Sequence, residues 1–271
     1  MRASSQAALN AASERWEVSL REAGERGREL GTQLFEVADT LASSGSLRRA
    51  VSDPSRSGDA KARLVAQLFD GKVAPEVVDL LAGMVRSRWS ADEDLGLAAE
   101  ELGVTSVLAA AQSRGALLEV EEELFRTERL LASSRELRAA LAERDIDPQR
   151  RAGLLDSLIA ERASDETRML VRRLITTPRA GSLSSALRHI GELAASRRDR
   201  LVANVTAASP LTQAQEARLA EILERAYGRA VQVNVGIDPQ VLGGMRIQVG
   251  AEVIDGTTLT RLQDARRRFA G

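Results

Sequence analysis

From Ser5 to Arg200 the apolar residues recur at helical spacing almost without interruption. Leu9, Ala12, Trp16, Leu20 and Ala23 fall three or four positions apart, which puts them on one stripe of a helix. Leu34, Val37, Ala38 and Leu41 form a second stripe, and Leu64, Val65, Leu68 and Phe69 a third. Pro75 suits the first turn of a further helix, whose inner face is expected at Val78, Leu81, Met84 and Val85. Ser90-Ala91-Asp92-Glu93 has the spacing of a capping box, with a Ser oxygen and a Glu carboxylate placed to satisfy the exposed amides of a new helix.

The pattern then repeats. Residues 34–85 align with residues 124–175 at a shift of 90 residues and without a gap. Leu34-Phe35 meets Leu124-Phe125, Leu41-Ala42-Ser43-Ser44 meets Leu131-Ala132-Ser133-Ser134, and Leu47-Arg48 meets Leu137-Arg138. Ala62, Leu64, Leu68 and Leu80 find Ala152, Leu154, Leu158 and Leu170. Ungapped runs of identity in register are the mark of a duplicated helical module. Turn chemistry differs, Asp53-Pro54 in one copy and Asp147-Pro148 in the other, so the copies share a core pattern more than a surface.

After Arg200 the period changes. Leu201 to Thr206 reads as a strand, which Pro210 ends. Thr212 with Gln215 forms a capping box, opening a helix whose stripe is Leu219, Ile222 and Leu223 and whose stop is Gly228. Val231, Val233 and Val235 alternate with polar residues, as do Met245, Ile247 and Val249; these are two half-buried strands joined by a loop ending in Gly243-Gly244. Asp255-Gly256-Thr257 is expected to turn the chain into a last helix carrying Leu259, Leu262, Ala265 and Phe269. The expected fold is mainly α: two tandem helical-bundle modules, residues 1–90 and 91–200, followed by a small α+β domain at 201–271.

Composition removes most chemistry. The chain of 271 residues has no cysteine, which excludes disulfides, thiolate metal sites and Cys nucleophiles. A formal net charge of −1 speaks against a general nucleic-acid binder. The basic runs Arg197-Arg198-Asp199-Arg200 and Arg266-Arg267-Arg268 lack interleaved aromatics and read as solvated helix ends. Aromatics are 3% of the chain, so its cores are built from Leu, Ala, Val and Ile. No apolar run is long enough for a signal peptide or a membrane span, which points to a cytoplasmic protein that meets a membrane only through partners.

Candidate sites are few. His189, the one histidine, shares a helix with Leu183, Leu187 and Ile190 and reads as a surface residue. Gly71-Lys72 lacks the context of a phosphate loop, and Gly24, Gly27 and Gly31 lie within a helical pattern, as weak positions or helix ends. Glu119, Glu121, Glu122 and Glu123 stand near Arg126 and Arg129 at spacings that suit surface ion pairs. No catalytic residue, cofactor site or metal site is expected. Amphipathic helices with a small α+β tail suit a protein that holds other proteins, and grooves between bundle helices are natural receptors for a peptide helix.

The C-terminal residues are specific. Asn234 to Gly250, reading NVGIDPQVLGGMRIQVG, followed by Val253 to Leu262, VIDGTTLTRL, resembles the signature of the delta subunit of bacterial F-type ATP synthases. Upstream, Leu47-Arg48, Pro54, Lys61, Leu68-Phe69, Gly71-Lys72-Val73 and Pro75 resemble the family's N-terminal helical domain. The resemblance marks Gly243, Gly244, Gly250, Asp255, Gly256 and Thr257 as the motif of a stalk-binding domain. Three features depart from it: the helical domain is doubled, Arg144 and Arg151 replace the family-like Pro54 and Lys61 in the second copy, and Thr257 stands where Ser is common.

The resemblance implies a non-catalytic stator subunit with no cofactor, at the cytoplasmic face of the cell membrane. Its partners would be the N-terminal helix of an alpha subunit, the beta subunits of the head and the b subunits of the peripheral stalk. The second helical module, adjoining the tail, would grip the alpha subunit, and the first would brace the stalk or head. The alternative is a helical-repeat scaffold or a nucleic-acid-associated regulator unrelated to the synthase.

Overall fold

A computed structural model describes residues 1–143, 145–177, 181–198, 201–228, 231–238, 241, 243–249 and 252–255. The chain divides into two compact units, Met1–Ala195 and Ser196–Gly271.

The first unit is helical: α1 (Ala3–Ala23), α2 (Gly27–Ser43), α3 (Gly45–Ser52), α4 (Gly58–Phe69), α5 (Pro75–Arg86), α6 (Asp94–Ser113), α7 (Leu117–Ser133), α8 (Arg135–Ala142), α9 (Pro148–Ile159), α10 (Asp165–Thr176) and α11 (Leu183–Arg198). The repeat is written into the helix ends. Both ends of α2, α3, α4 and α5 recur 90 residues later in α7, α8, α9 and α10. The local chemistry recurs too. Ser44 caps α3 by accepting from the Leu47 amide, and Ser134 caps α8 by accepting from the Leu137 amide. Arg48 donates back to the carbonyls of Leu41 and Ala42, and Arg138 to those of Leu131 and Ala132.

Helix α6 joins the two copies. It stands where α11 stands in the second copy and where α1 stands in the first, closing one module and opening the next. Leu95, Ala98, Ala99 and Leu102 face a core built on Leu9, Trp16, Leu34 and Met84. Val104, Val107, Leu108 and Ala111 face a second core with Leu124, Leu155, Leu170 and Ile190. Two faces in use explain why its apolar residues run all round the helix. Trp16, 2% exposed, donates its indole N–H to Ser106 Oγ of α6 at 2.8 Å, so its one polar atom is satisfied inside the core.

Several expectations change in detail. Ser90–Glu93 is not a capping box: α6 begins at Asp94 behind Glu93, which makes no side-chain cap. Asp94 takes that place, its carboxylate accepting from the Ala91 amide at 3.2 Å and from Ser5 Oγ at 2.6 Å, while Ser90 Oγ lies against Ser4. Pro75 opens α5 as expected, but Val77 is fully buried and Val78 only partly. The Asp-Pro pairs are not equivalent: Asp147 caps α9, whereas Asp53 lies at the end of α3.

The second unit holds β1 (Leu201–Ala207), α12 (Gln213–Tyr227), β2 (Val231–Ile237), β3 (Met245–Val249) and β4 (Glu252–Asp255) in a sheet ordered β2-β1-β3-β4. The Thr212–Gln215 capping box and the left-handed Gly228 stop delimit α12 as expected. Strand β1 lies between the two alternating strands, parallel to β2 and antiparallel to β3, so β2 and β3 are not neighbours. A parallel pair needs a crossover, and α12 supplies it between β1 and β2. Leu223 enters the core with Ala203, Val205, Ile247 and Val249, whereas Ile222 faces outward at 47% exposure.

Candidate functional site

The sequence motif runs from the end of β2 through β3 and into β4 of this sheet. Gly243 and Gly244 have φ of 77° and 79°, the left-handed region where a side chain would strain the backbone. The turn is pinned at its start by the Asp238 amide donating to the Ala207 carbonyl at 3.0 Å, at the end of β1. It therefore sets the entry of β3. Asp255 ends β4, in register with Arg246 of β3, and the turn expected after it lies outside the described residues. Gly250, Gly256, Thr257 and the expected last helix, with Leu259, Leu262, Ala265 and Phe269, lie outside the described residues. The unit exposes Ile237, Val253 and Ile254, apolar positions at the end of β2 and along β4.

The helical unit is held by a polar seam between its copies. Arg173 of α10 donates to Asp39 of α2 at 2.7 and 2.8 Å and to Glu100 of α6 at 2.6 to 3.1 Å, and lies 4.8 Å from the centroid of the Phe35 ring. Burial alone would push this guanidinium down; the hydrogen bonds and charges of Asp39 and Glu100 outweigh it and hold the group above the usual arginine value. Two turns toward the N-terminus of α10, the buried Glu166 accepts from Arg114 at 3.2 and 2.8 Å and lies 3.8 Å from Arg28 of α2. Burial raises the Glu166 carboxyl, but the Arg114 hydrogen bond and the charges of Arg114 and Arg28 win and hold it below the ordinary carboxylate range.

Within the acidic cluster of α7, Glu123 departs from the expected surface ion pairing. Glu123 is buried and caps the start of α10, accepting from the Ser164 amide at 2.9 Å, Ser164 Oγ at 2.7 Å and Thr167 Oγ1 at 2.6 Å. Its counterpart in the repeat, Gln33, accepts from the Ala74 amide at 2.7 Å at the start of α5. Arg197, expected at a solvated helix end, is buried. His189 is a surface residue, 4.0 Å from a Glu101 carboxylate oxygen.

Open grooves lie among the described residues of the helical unit. The seam between α1 and α5 encloses about 250 Å³, lined by Arg15, Trp16, Ser19, Glu76, Asp79, Leu80 and Gly83. A larger one of about 530 Å³ lies between α7 and α11. Among the described residues no group of His, Asp and Glu could hold a metal ion, and no helix is long and apolar enough to cross a membrane.

A family model described as ATP synthase delta (OSCP) subunit matches residues 104–269. An ATP synthase subunit delta from Beutenbergia cavernae is 59% identical over 271 residues, covering 100% of both chains. The chain belongs to the ATP synthase delta (OSCP) subunit family. A subunit delta from Streptomyces coelicolor is 46% identical over 270 residues, covering 100% of this chain and 98% of the relative, and one from Thermobifida fusca is 40% identical over 242, covering 89% and 90%. A chain of the Toxoplasma gondii mitochondrial ATP synthase hexamer is similar at 15% identity and a TM-score of 0.27, over 62% of this chain and 95% of that one.

The delta-family match starts inside α6, so it takes in the second helical module and the tail. The full-length relatives span the leading module as well. As a delta subunit the chain is a part of the ATP synthase complex and not an enzyme in its own right. The residues that organise its helical unit, Glu123, Arg173 and Glu166, escaped the reading from spacing, because a buried polar clamp has the same local signature as a surface charge. The repeat carried one usable signal: Gln33 pairs with Glu123 just as Ala74 pairs with Ser164.

Proposed function

We propose that this delta subunit is the stator link of the F1Fo ATP synthase, joining the alpha/beta head to the b subunits of the peripheral stalk so that proton-driven rotation is coupled to ATP synthesis. The observation that carries the reading is family membership along the whole chain, joined to a division into a helical unit and a separate α+β unit. A link needs two attachment surfaces on two bodies, and it needs no reactive group. The protein would sit at the cytoplasmic face of the cell membrane, held there by its partners.

The repeat bears on where the head is gripped. The seam between α6 and α10 in the second module corresponds to the seam between α1 and α5 in the first. In the second module helix α2 lies along it, with Phe35, Asp39 and Arg28 engaging Arg173, Asp165 and Glu166. A helix of the chain itself thus fills one copy of the seam, and the other copy is open. We therefore assign the alpha-subunit helix to the α1–α5 seam of the first module, in place of the second-module grip expected from sequence. The stalk falls to the α+β unit, whose motif residues Gly243, Gly244, Gly250, Asp255, Gly256 and Thr257 would shape the socket.

Gly83→Trp tests the grip by filling the seam beside Arg15. The variant is expected to lose binding of a peptide from the N-terminus of alpha while keeping binding of the C-terminal segment of the b stalk. Unchanged alpha-peptide affinity would return the grip to the second module.

A further inference from the structure

Interior glycines of the helical unit differ in how closely their neighbours approach. Gly27, Gly31 and Gly103 are demanded by the packing of α2 on α6. A Cβ built there would come within 2.7 Å of the Ser106 carbonyl oxygen, 2.8 Å of Val107 Cγ2 and 2.6 Å of the Phe35 ring, in that order. Gly191 of α11 is unlike them: nothing lies within 4 Å of a Cβ built on it. A glycine inside a helix is less stable than an alanine there, and no described neighbour requires this one. It lines the groove between α7 and α11.

That groove runs beside residues 121–128 of α7 and 187–195 of α11, about two turns of each helix. Leu124, Phe125, Leu187 and Ala195 supply its apolar lining, and Phe125 is 58% exposed. The repeat shows what Phe125 lacks. Its counterpart Phe35 is 5% exposed, packed over Gly103 and beneath the Arg173 guanidinium of the following module. The second module is followed by the α+β unit and not by a third copy, so no repeated helix brings a cation to Phe125.

We propose that the α7–α11 groove docks a short amphipathic helix of a partner protein, with apolar side chains over Phe125 and Gly191 and arginines or lysines at its margins. The charge of the groove selects that sign. Glu122 and Glu192 line it with Glu128 and Arg188, and these last two already pair with each other at 3.0 Å. A basic helix meets unlike charge there and can stack a cation on the Phe125 ring as Arg173 stacks on Phe35. An acidic helix would meet repulsion. The groove is distinct from the α1–α5 seam, and the inference does not depend on the stator reading.

The test uses the full chain and two fluorescein-labelled peptides of about 14 residues, both with Leu and Ala at helical spacing. One carries Lys and Arg on its polar face and the other Glu. Anisotropy titration is expected to show binding of the basic peptide alone, weakened about tenfold or more by Phe125→Ala and by Gly191→Leu. The Glu122→Lys, Glu192→Lys double variant is expected to reverse the preference toward the acidic peptide. Gly83→Trp should leave binding unchanged, and circular dichroism checks that each variant keeps its helices. No binding, equal binding of both peptides, or binding indifferent to Phe125 and Gly191 in folded variants would overturn the proposal.

Discussion

At the scale of single residues the account turns on buried polar groups with complete sets of partners. Glu123 accepts from three donors at the start of α10, the Ser164 amide and the Ser164 and Thr167 hydroxyls, at 2.6 to 3.0 Å. Removing it orphans those donors inside the fold. Glu123→Ala is expected to cost about 2–3 kcal/mol, read as a lower urea midpoint at constant slope. Glu166 gives a pH signature. A carboxyl held below its ordinary value in the folded chain contributes stability that is present above that value and is lost as the pH falls through the depressed one. Glu166→Gln should therefore cost about 2 kcal/mol at neutral pH, with the gap to the wild type closing as the pH drops below 4.5, the ordinary value. A gap independent of pH would contradict it. The glycines predict opposite signs: Gly103→Ala should destabilise by about 2 kcal/mol or more through overpacking against Phe35, while Gly191→Ala should stabilise by about 0.5 kcal/mol.

At the scale of elements, helix α6 decides how the halves behave. It buries Leu95, Ala98 and Leu102 in one core and Val107 and Leu108 in the other, and Arg173 ties α10 to both α6 and α2. Deleting residues 1–90 would bare the first of these faces and leave Arg173 without Asp39. We expect the truncated chain to aggregate or melt well below the full one. The intact helical unit should lose its helices in a single transition, by circular dichroism. Two separate helical transitions would mean independent modules. Much of this was legible in the sequence. The stripes Leu9–Leu20 and Leu34–Leu41, the Pro75 start, the Thr212 cap and the Gly228 stop all stand where spacing and capping chemistry put them. What escaped depends on contacts distant in sequence. The pairing of β1 with both β2 and β3 is one case, because alternation reports a strand's faces and not its neighbours. Strand β4 is another, four residues long and too short to show a period. The roles of Gly27, Gly31 and Gly103 follow from a helix crossing that no local pattern announces.

At the scale of the whole molecule, a link is judged by what it holds at each end. The helical unit offers the α1–α5 and α7–α11 grooves, and the α+β unit carries the family motif and the exposed Ile237, Val253 and Ile254. Neither contains, among the described residues, a cluster that could bind a metal ion. The reading that joins these observations is mechanical: one unit on the head, the other on the stalk. The most direct measurement is affinity purification of the tagged full chain from detergent-solubilised membranes, beside a variant truncated after residue 200. The account predicts that the full chain brings down alpha, beta and b subunits together, and that the truncated chain keeps alpha and beta but loses b. Retention of b by the truncated chain, or loss of all three subunits from a truncated chain that is still folded, would contradict it.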